Sequence, residues 1–379
     1  MLAVQFTPSV ARHVAARVVR RPQLGGLRLV ETDPPLPPAD NWVQVRPILA
    51  GICGSDQALV TGDASPYLGA LTSSPFVPGH EVVGALRDGT RVVVEPALGC
   101  HARGVARACP ECGDGHAALC RHVVDGDVAA GLQVGFCRDT SGGWSEGLVA
   151  HGSQVHEVPD ALRDEDAVLV EPLACSLHAA RLADPGDGDV VVVVGAGTIG
   201  LLTVAAVRDL APGATVLAVA KHPGQQGTAR RFGADAVCAP DAVHREVARL
   251  TGARRLVGRL GDELLLGGAD TVLDCVGSSA SLQAAVTVTR ARGAVVLVGM
   301  PGRVTVDLAL AWQRELRLLG AYGPTGAFPA AIDLAGRLGA GDLVGDGYAL
   351  DKYADALAGA PRAARTRRVK TVFDLREPA

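Results

Sequence analysis

The sequence predicts an α/β protein with a β-rich domain and a second domain built on a doubly wound parallel sheet. Three observations support this fold class. The chain has 379 residues and is 48% hydrophobic, which is more than one compact domain needs and predicts two domains. Residues 25–160 contain many short strand-like stretches separated by turns rich in Gly and Pro. From about residue 161, apolar strand-like runs alternate with helical stretches, as in a parallel sheet with crossover helices.

Composition excludes several classes of function. The net charge is only -4, and 3% of the residues are aromatic, which argues against nucleic acid as a partner. Nine cysteines are too few for a disulfide scaffold in a chain of this length. Their clustering favours metal ligation in a reducing, cytoplasmic compartment, and the clustered cysteines are Cys53, Cys100, Cys109, Cys112 and Cys120.

Two segments resemble targeting or membrane signals. The first thirty residues contain five arginines and no acidic residue, as in a transit peptide, but they continue into strand-like stretches. We therefore interpret them as part of the fold. The uncharged run at 190–207 is nearly long enough to cross a bilayer, but five consecutive valines followed by glycines favour a buried strand, turn and helix. The sequence predicts no association with a membrane.

A glycine motif follows the valine run. The pattern G-x-G-x-x-G is formed by Gly195, Ala196, Gly197, Thr198, Ile199 and Gly200. Glycines at this spacing allow a tight turn and a close approach of a pyrophosphate, whose charge is met by free N–H groups of a helix N-terminus. The motif alone could be a plain strand-to-helix turn. Its context on both sides predicts a dinucleotide-binding site.

The end of the next strand-like run indicates which dinucleotide is bound. NAD-preferring sites carry an acidic residue there, about 20 residues after the motif, that binds the ribose hydroxyls. Here the run TVLAVA ends at Ala220 and is followed by Lys221 and His222, with Arg230 and Arg231 further on. Cations attract a 2′-phosphate, so the sequence predicts NADP over NAD. The alternative is that Lys221 and His222 are solvated loop residues.

Candidate metal ligands lie in or next to the β-rich half. A catalytic zinc takes about three protein ligands and keeps one position open. Cys53 in GICGSD, His80 in PGHE and Glu171 in LVEPLACSLHA have suitable side chains, although each alone could be an ordinary core or loop residue. Asp56, three residues after Cys53, is a suitable carboxylate to orient His80.

Several motifs occur along the chain in an order that is characteristic of one protein family. They are the stretches quoted above, the cysteine-rich segment, DCVG and the terminal VKTVF. Over nearly its whole length, the sequence resembles the zinc-dependent medium-chain alcohol and polyol dehydrogenases. The resemblance implies a GroES-like catalytic domain over 1–171, a Rossmann dinucleotide-binding domain over 172–314 and a return to the first domain over 315–379. It also implies a homo-dimer or homo-tetramer.

The resemblance assigns roles to individual residues. The positions that match catalytic zinc ligands are Cys53, His80, Glu171 and, as a ligand in some members only, Glu81. Val276 in DCVG matches a cofactor-binding position, and Lys370 lies where a basic residue often contacts the pyrophosphate.

Segment 100–120 resembles the structural-zinc lobe of the family, with one irregularity. Cys109, Cys112 and Cys120 fall at ligand positions, but the usual first ligand position holds Ala106. We predict that HARGVARA bulges so that Cys100 reaches the metal, which would give a closed site of four thiolates. The alternative is a lobe that has lost its zinc and keeps reduced cysteines.

The implied reaction interconverts an alcohol, such as a polyol, and its carbonyl compound by hydride transfer with NAD(P). The predicted catalytic residues are Ser55, Asp56, Cys53 and His80, with Ser55 accepting the hydroxyl proton. Many members carry a His five residues after the first zinc cysteine, where this chain has Ala58. Two other hypotheses are a zinc-free reductase of the same superfamily and a non-catalytic relative. The complete ligand set and glycine motif oppose both.

Overall fold

A computed structural model describes residues 1–9, 11–12, 14, 18, 25–299, 302–324, 326–363 and 365–376. Most of the arginine-rich stretch at 10–24, which we interpreted as part of the fold, lies outside these described residues. Within the described ranges, every helix is too short or too polar to span a bilayer. The apolar run at 190–207 is instead divided between a strand and a helix, as predicted.

The strands follow along the chain as β1 (Leu2–Phe6), β2 (Leu27–Glu31), β3 (Trp42–Gly51), β4 (Val82–Ala85), β5 (Arg91–Val94), β6 (Leu148–His151), β7 (Val155–Glu157), β8 (Val190–Val194), β9 (Thr215–Val219), β10 (Ala236–Cys238), β11 (Arg254–Val257), β12 (Glu263–Leu266), β13 (Ala269–Asp274), β14 (Thr289–Leu297), β15 (Arg317–Gly320), β16 (Val344–Tyr348) and β17 (Lys370–Asp374). The α-helices are α1 (Gly54–Thr61), α2 (Pro110–Gly113), α3 (Asp164–Ala167), α4 (Val170–Ala183), α5 (Thr198–Leu210), α6 (Pro223–Arg231), α7 (Val243–Thr251), α8 (Ser279–Val288), α9 (Ala309–Gln313), α10 (Phe328–Leu338) and α11 (Tyr353–Ala363).

The first of two compact units contains Met1–Ala174, Gly323–Ala363 and Arg368–Ala379. Its main sheet has the order β16-β17-β3-β4-β5-β7, and β6 also pairs with β3. Strand β3 is antiparallel to β4, β6 and β17, so its ten residues hydrogen-bond to three neighbours. Its second half is buried and leads directly to Cys53, so the centre of the sheet determines where this cysteine lies.

The second unit contains Cys175–Tyr322 and Ala364–Arg367. Its six-stranded sheet is parallel throughout, with the order β10-β9-β8-β13-β14-β15. Numbered along the chain this order is 3-2-1-4-5-6, the doubly wound dinucleotide-binding arrangement. All five valines of β8 are buried, as expected for a central strand of a parallel sheet. The fold class predicted for this domain is confirmed.

A β-hairpin of β11 and β12 lies between α7 and β13 in the second unit. Sequence analysis did not predict it. Leu265 on β12 is fully buried in the apolar core beside the parallel sheet, whereas Leu260 in the turn is 93% exposed. The hairpin is therefore attached to the core by one strand, while its turn extends into solvent.

The compact units differ from the predicted domain boundaries. The prediction placed them after residues 171 and 314, whereas the units divide after Ala174 and Tyr322. The first division falls inside α4, where the sequence pattern is continuous. The tetrapeptide Ala364–Arg367, predicted to belong to the first domain, is part of the second unit. This segment packs closely against α6 of the second unit, because a Cβ added to Gly224 would lie 3.2 Å from the backbone nitrogen of Arg367.

A buried arginine organises the long connection between β5 and β6. The guanidinium of Arg103, which is fully buried, donates hydrogen bonds to the carbonyl oxygens of Leu98, Asp125, Val128, Ala129 and Gly131. Burial lowers the pKa of this group, with nearby thiols and Asp125 opposing the effect. A guanidinium has five N–H donors in a rigid plane, so one side chain can hold several loop carbonyls.

Replacing Arg103 should therefore destabilise this connection strongly. In an Arg103→Met variant, buried carbonyls lose their donors, and we expect the free energy of unfolding to fall by more than about 3 kcal/mol in urea titrations. Arg107→Met is the matched control, since Arg107 lies in the same bulge but is exposed. Equal effects of the two substitutions would contradict this role of Arg103.

Candidate metal and cofactor sites

Cys53, Asp56 and His80 meet inside the first unit. Cys53 immediately precedes α1, and its backbone N–H donates to Oδ2 of Asp56 in the first turn, at 3.0 Å. The other carboxylate oxygen of Asp56 lies 3.5 Å from Nδ1 of His80. Asp56 is 1% exposed and His80 is 4% exposed. One carboxylate thus accepts from the backbone of Cys53 and faces the imidazole ring, a geometry compatible with the orienting role of Asp56, which stays a prediction.

The electrostatics of His80 follow from these contacts. Burial alone would lower the pKa of His80, but the charge and hydrogen bond of Asp56, together with interactions with Cys53, raise it well above the usual value. Nδ1 of His80 and Oδ1 of Asp56 face each other at the outer limit of a hydrogen bond, and neither atom has a closer hydrogen-bond partner within the described residues. A thiol and an imidazole in contact are suitable nitrogen and sulfur ligands for zinc.

Gly79 places His80 through a conformation that other residues rarely adopt. Its φ is +99°, and a Cβ there would collide with Trp144, which is fully buried. The carbonyl oxygen of Gly79 accepts a 2.8 Å hydrogen bond from the backbone N–H of Gly143. The ring of Phe136 lies 5.7 Å from the imidazole of His80. The backbone at Gly79 and the ring of Phe136 therefore both restrict the position of the histidine.

Glu81 and Lys370 form a buried ion pair beside this group. Nζ of Lys370 contacts Oε2 of Glu81 and donates to the carbonyl oxygen of Ile52 at 3.2 Å. Burial would lower the pKa of Lys370, but Glu81 foremost, then Cys53 and Glu171, raise it. The structure thus brings Glu81 to Lys370, and Lys370 is only 2% exposed. The roles of Glu81 on zinc and of Lys370 on pyrophosphate stay predictions.

The third predicted ligand, Glu171, lies in the first turn of α4 and is 7% exposed. Its charge acts on Lys370, which places it in the same electrostatic neighbourhood. Within the described residues, the ligand atoms of Cys53, His80 and Glu171 are not all within 4.8 Å of one another. A metal held by all three would require these ligand atoms to approach one another more closely.

The donor set of this group fits a metal site. Cys53 and His80 contact each other, and Glu171 is a buried carboxylate that acts on the same lysine as Glu81 and Cys53. A thiol, an imidazole and a carboxylate are side chains that commonly hold zinc. Asp56 already faces His80, as a carboxylate that orients a metal-binding histidine would.

The four lobe cysteines approach one another closely. Their sulfur atoms all lie within 4.8 Å of each other, and Sγ of Cys100 is 3.6 Å from Sγ of Cys120. Sγ of Cys100 also accepts a hydrogen bond from the backbone N–H of Cys109 at 3.3 Å. The structure thus brings Cys100 to Cys109, Cys112 and Cys120, as the bulge hypothesis requires.

The thiols of this lobe are not equivalent. Burial would raise the pKa of Cys109, but hydrogen bonds from the backbone of Arg121 and Cys112 lower it to about 7. Burial raises the pKa of Cys120 to about 11. Four converging sulfur atoms match the donor set of a closed tetrahedral zinc site.

The glycine motif lies between β8 and α5 in the second unit. Gly195 has a φ of +97°, and a Cβ there would lie 2.6 Å from Cγ2 of Val276. A Cβ on Gly200 would collide with the carbonyl oxygen of Gly195, so the turn closes tightly. A Cβ on Gly197 would meet no atom within 4 Å, which leaves the surface at the helix N-terminus open. This is the shape that a bound pyrophosphate needs.

The loops after β8 and β13 meet beside the glycine motif. These two strands are neighbours at the point where the strand order of the sheet reverses. Val276 follows β13 and contacts Gly195 after β8, as expected for two residues of one cofactor site. Asp274, fully buried at the end of β13, accepts hydrogen bonds from the backbone N–H groups of Val276 and Gly277. Sequence analysis did not predict that Asp274 holds the loop that carries Val276. The only signal for this role was its position two residues before Val276.

Lys221 and His222 lie between β9 and α6. Lys221 is exposed, and His222 is half-buried at the residue before the helix. In the structure β9 ends at Val219 and is followed by Ala220 and then Lys221, so the residues that directly follow the strand are not acidic. The strand end therefore presents a cation where NAD-preferring sites present a carboxylate.

Comparisons with known proteins agree with this geometry. The family profile described as alcohol dehydrogenase GroES-like domain matches residues 39–160, and the profile described as zinc-binding dehydrogenase matches residues 198–337. The sorbitol dehydrogenase of Gallus gallus is 30% identical, covering 88% of this chain and 89% of the relative. The chain belongs to the zinc-dependent medium-chain dehydrogenase family.

Further members of the family are similar. D-xylulose reductase A of Aspergillus oryzae is 29% identical, covering 80% of this chain and 82% of the relative. The crystal structure of a zinc-binding dehydrogenase of Sinorhizobium meliloti bound to NADP is 28% identical, covers 92% of this chain and 95% of the other, and superposes with a TM-score of 0.70. Family membership confirms that this enzyme is an alcohol oxidoreductase that uses zinc and a nicotinamide cofactor.

Two glycines beside candidate ligands should respond differently to substitution. Gly79→Ala places a methyl group against Trp144 at a positive φ, and we expect the free energy of unfolding to fall by about 2 kcal/mol or more. Gly54→Ala is the control, because a Cβ on Gly54 meets nothing within 4 Å. Urea titrations of both variants check this. A larger loss for Gly54→Ala would contradict the packing argument.

Proposed function

We propose that this enzyme interconverts a polyol or similar hydroxylated small molecule and its carbonyl compound, using NADP in preference to NAD. Cys53, His80 and Glu171 would hold a catalytic zinc, and the four lobe cysteines a structural zinc. The observation that carries this proposal is the contact of Cys53 with the buried His80, whose ring faces the buried carboxylate of Asp56. The relatives named for sorbitol and D-xylulose support the substrate class.

The chain's own residues would divide the chemistry as follows. When bound, zinc supplies an electrophile for the substrate oxygen, and the nicotinamide supplies or accepts the hydride. Ser55, half-buried two residues after Cys53, would accept the hydroxyl proton. Asp56 would hold His80 in one orientation, as carboxylates commonly do for metal-binding histidines. Ala58 provides no imidazole to pass the proton on, so that step would fall to water.

The direct test is a panel of alcohols assayed with NAD and NADP in parallel. We expect turnover of sorbitol and xylitol with a kcat/KM at least about tenfold above that for ethanol, and a kcat/KM for NADP at least about tenfold above that for NAD. Formation of the reduced nicotinamide is followed by absorbance. Enones and quinones are assayed with the reduced cofactor in the same series.

Each outcome of the panel decides one part of the proposal. Preference for ethanol over polyols would overturn the substrate class. An NAD preference of about tenfold would overturn the interpretation of Lys221. Reduction of enones without any alcohol oxidation would indicate the zinc-free type of reductase, and inactivity with bound cofactor would indicate a non-catalytic relative.

Metal content tests the two zinc sites separately. Protein purified without chelators should contain about two zinc ions per chain, and Cys53→Ala and Cys100→Ala should each contain about one, measured by inductively coupled plasma spectrometry. Cys53→Ala should lose activity, because it loses a ligand at the reacting centre. Cys238→Ala, which removes a buried thiol of the second unit, should keep both ions. Full turnover by metal-free wild-type protein would contradict the catalytic zinc.

The predicted homo-dimer or homo-tetramer and the cytoplasmic location stay predictions.

A further inference from the structure

The strand end that carries Lys221 is adjacent to a distant part of the sequence. Gly224, in the first turn of α6, has a Cβ position 3.2 Å from the backbone nitrogen of Arg367 and 3.5 Å from Cα of Thr366. These residues belong to the tetrapeptide Ala364–Arg367, which is part of the second compact unit. The lack of a side chain on Gly224 is what permits this approach of two backbones.

The approach brings further cations to the same place. Arg365 and Arg367 flank Thr366 and are both exposed, as is Lys221. The backbone of Thr366 and Arg367 lies against Gly224, so both arginines belong to a segment that contacts the first turn of α6, which begins two residues after Lys221. Two chain segments more than 140 residues apart therefore place exposed cations near this contact.

Lys221, Arg365 and Arg367 form no ion pair with any described carboxylate, whereas the neighbouring Arg368 lies 3.1 Å from a carboxylate oxygen of Asp346. Like charges concentrated on one surface repel each other unless an anion is bound. A phosphate accepts charge-assisted hydrogen bonds from guanidinium groups, often two at a time.

We infer that Arg365 and Arg367 bind the 2′-phosphate of NADP together with Lys221, so that cofactor preference is shared between the β9–α6 loop and the segment before β17. This inference rests on the proposed use of NADP. It goes beyond the general rule for NAD and NADP preference, because that rule concerns only the residues that directly follow the second strand of the sheet. In this assignment Arg365 and Arg367 are specificity residues and take no part in hydride transfer.

Binding of nucleotide fragments tests the inference without any turnover. The probes are 2′,5′-ADP, which carries the 2′-phosphate, and 5′-AMP, which lacks it, titrated into the full chain by calorimetry. We expect wild-type protein to bind 2′,5′-ADP about tenfold more tightly than 5′-AMP, and the Arg365→Ala/Arg367→Ala double variant to lose most of that ratio. Affinity for 5′-AMP should stay within about twofold of wild type.

Further variants separate charge from folding. Arg368→Ala is the matched control, since this exposed arginine is paired with Asp346, and it should keep the wild-type ratio. Arg367→Lys should retain part of the preference, whereas Arg367→Glu should reverse it. Raising the salt concentration should reduce the ratio for wild type more than for the double variant. Retained 5′-AMP binding shows that each variant is folded.

The outcomes distinguish this inference from the proposed function. If wild-type protein prefers the 2′-phosphate and the double variant keeps that preference, the inference is wrong and NADP use stands. If wild-type protein binds both probes equally, NADP preference and the inference both fail, and alcohol oxidoreduction stands. If neither probe binds, the proposed function fails as well.

Discussion

The burial of ionisable groups in the first unit is the constraint on which its site depends. Asp56, His80, Glu81, Glu171 and Lys370 are each at most 7% exposed. Charges in such a place persist only when other charges or polar groups compensate them. Two of the carboxylates each face a cation: Asp56 faces His80, and Glu81 faces Lys370. These buried charged groups are therefore held in place mainly by one another and less by apolar packing.

Glycines make this compensation geometrically feasible. A Cβ on Gly51 would occupy the space of the Glu81 carboxylate and lie 2.7 Å from Cε of Lys370. At Gly79 the same atom would meet Trp144, whose indole N–H donates to the carbonyl oxygen of Gly51 at 3.2 Å. The polar group is thus enclosed by backbone that passes within van der Waals distance. Glycine at these two positions leaves the space that the charged side chains and Trp144 occupy.

Much of the architecture could be predicted from the sequence, because it depends on local pattern. The five valines of β8 and the glycines after them indicate a buried strand and a tight turn without any knowledge of distant residues. Family resemblance then selected Cys53, His80 and Glu171 as candidate ligands, and this role stays a prediction. It also selected Cys109, Cys112 and Cys120, and the structure brings their sulfur atoms together with that of Cys100, for which we predicted a bulge.

Other features depend on long-range pairing, which the sequence pattern does not contain. Arg103 looks like one more surface arginine of the bulge, yet its five carbonyl partners lie up to 28 residues away. The ion pair of Glu81 with Lys370 joins residues from opposite ends of the chain. The β11–β12 hairpin was missed because its leucine-rich strand reads equally well as part of a helix.

The tetrapeptide Ala364–Arg367 has a consequence for how this chain can be divided. A fragment that spans Cys175–Tyr322 would keep all six parallel strands and the whole glycine turn, but it would lack these four residues. Such an excised domain would leave the backbone at Gly224 uncovered. The nucleotide-binding half of this enzyme is therefore discontinuous in sequence, and its last piece is synthesised only after most of the other half is complete.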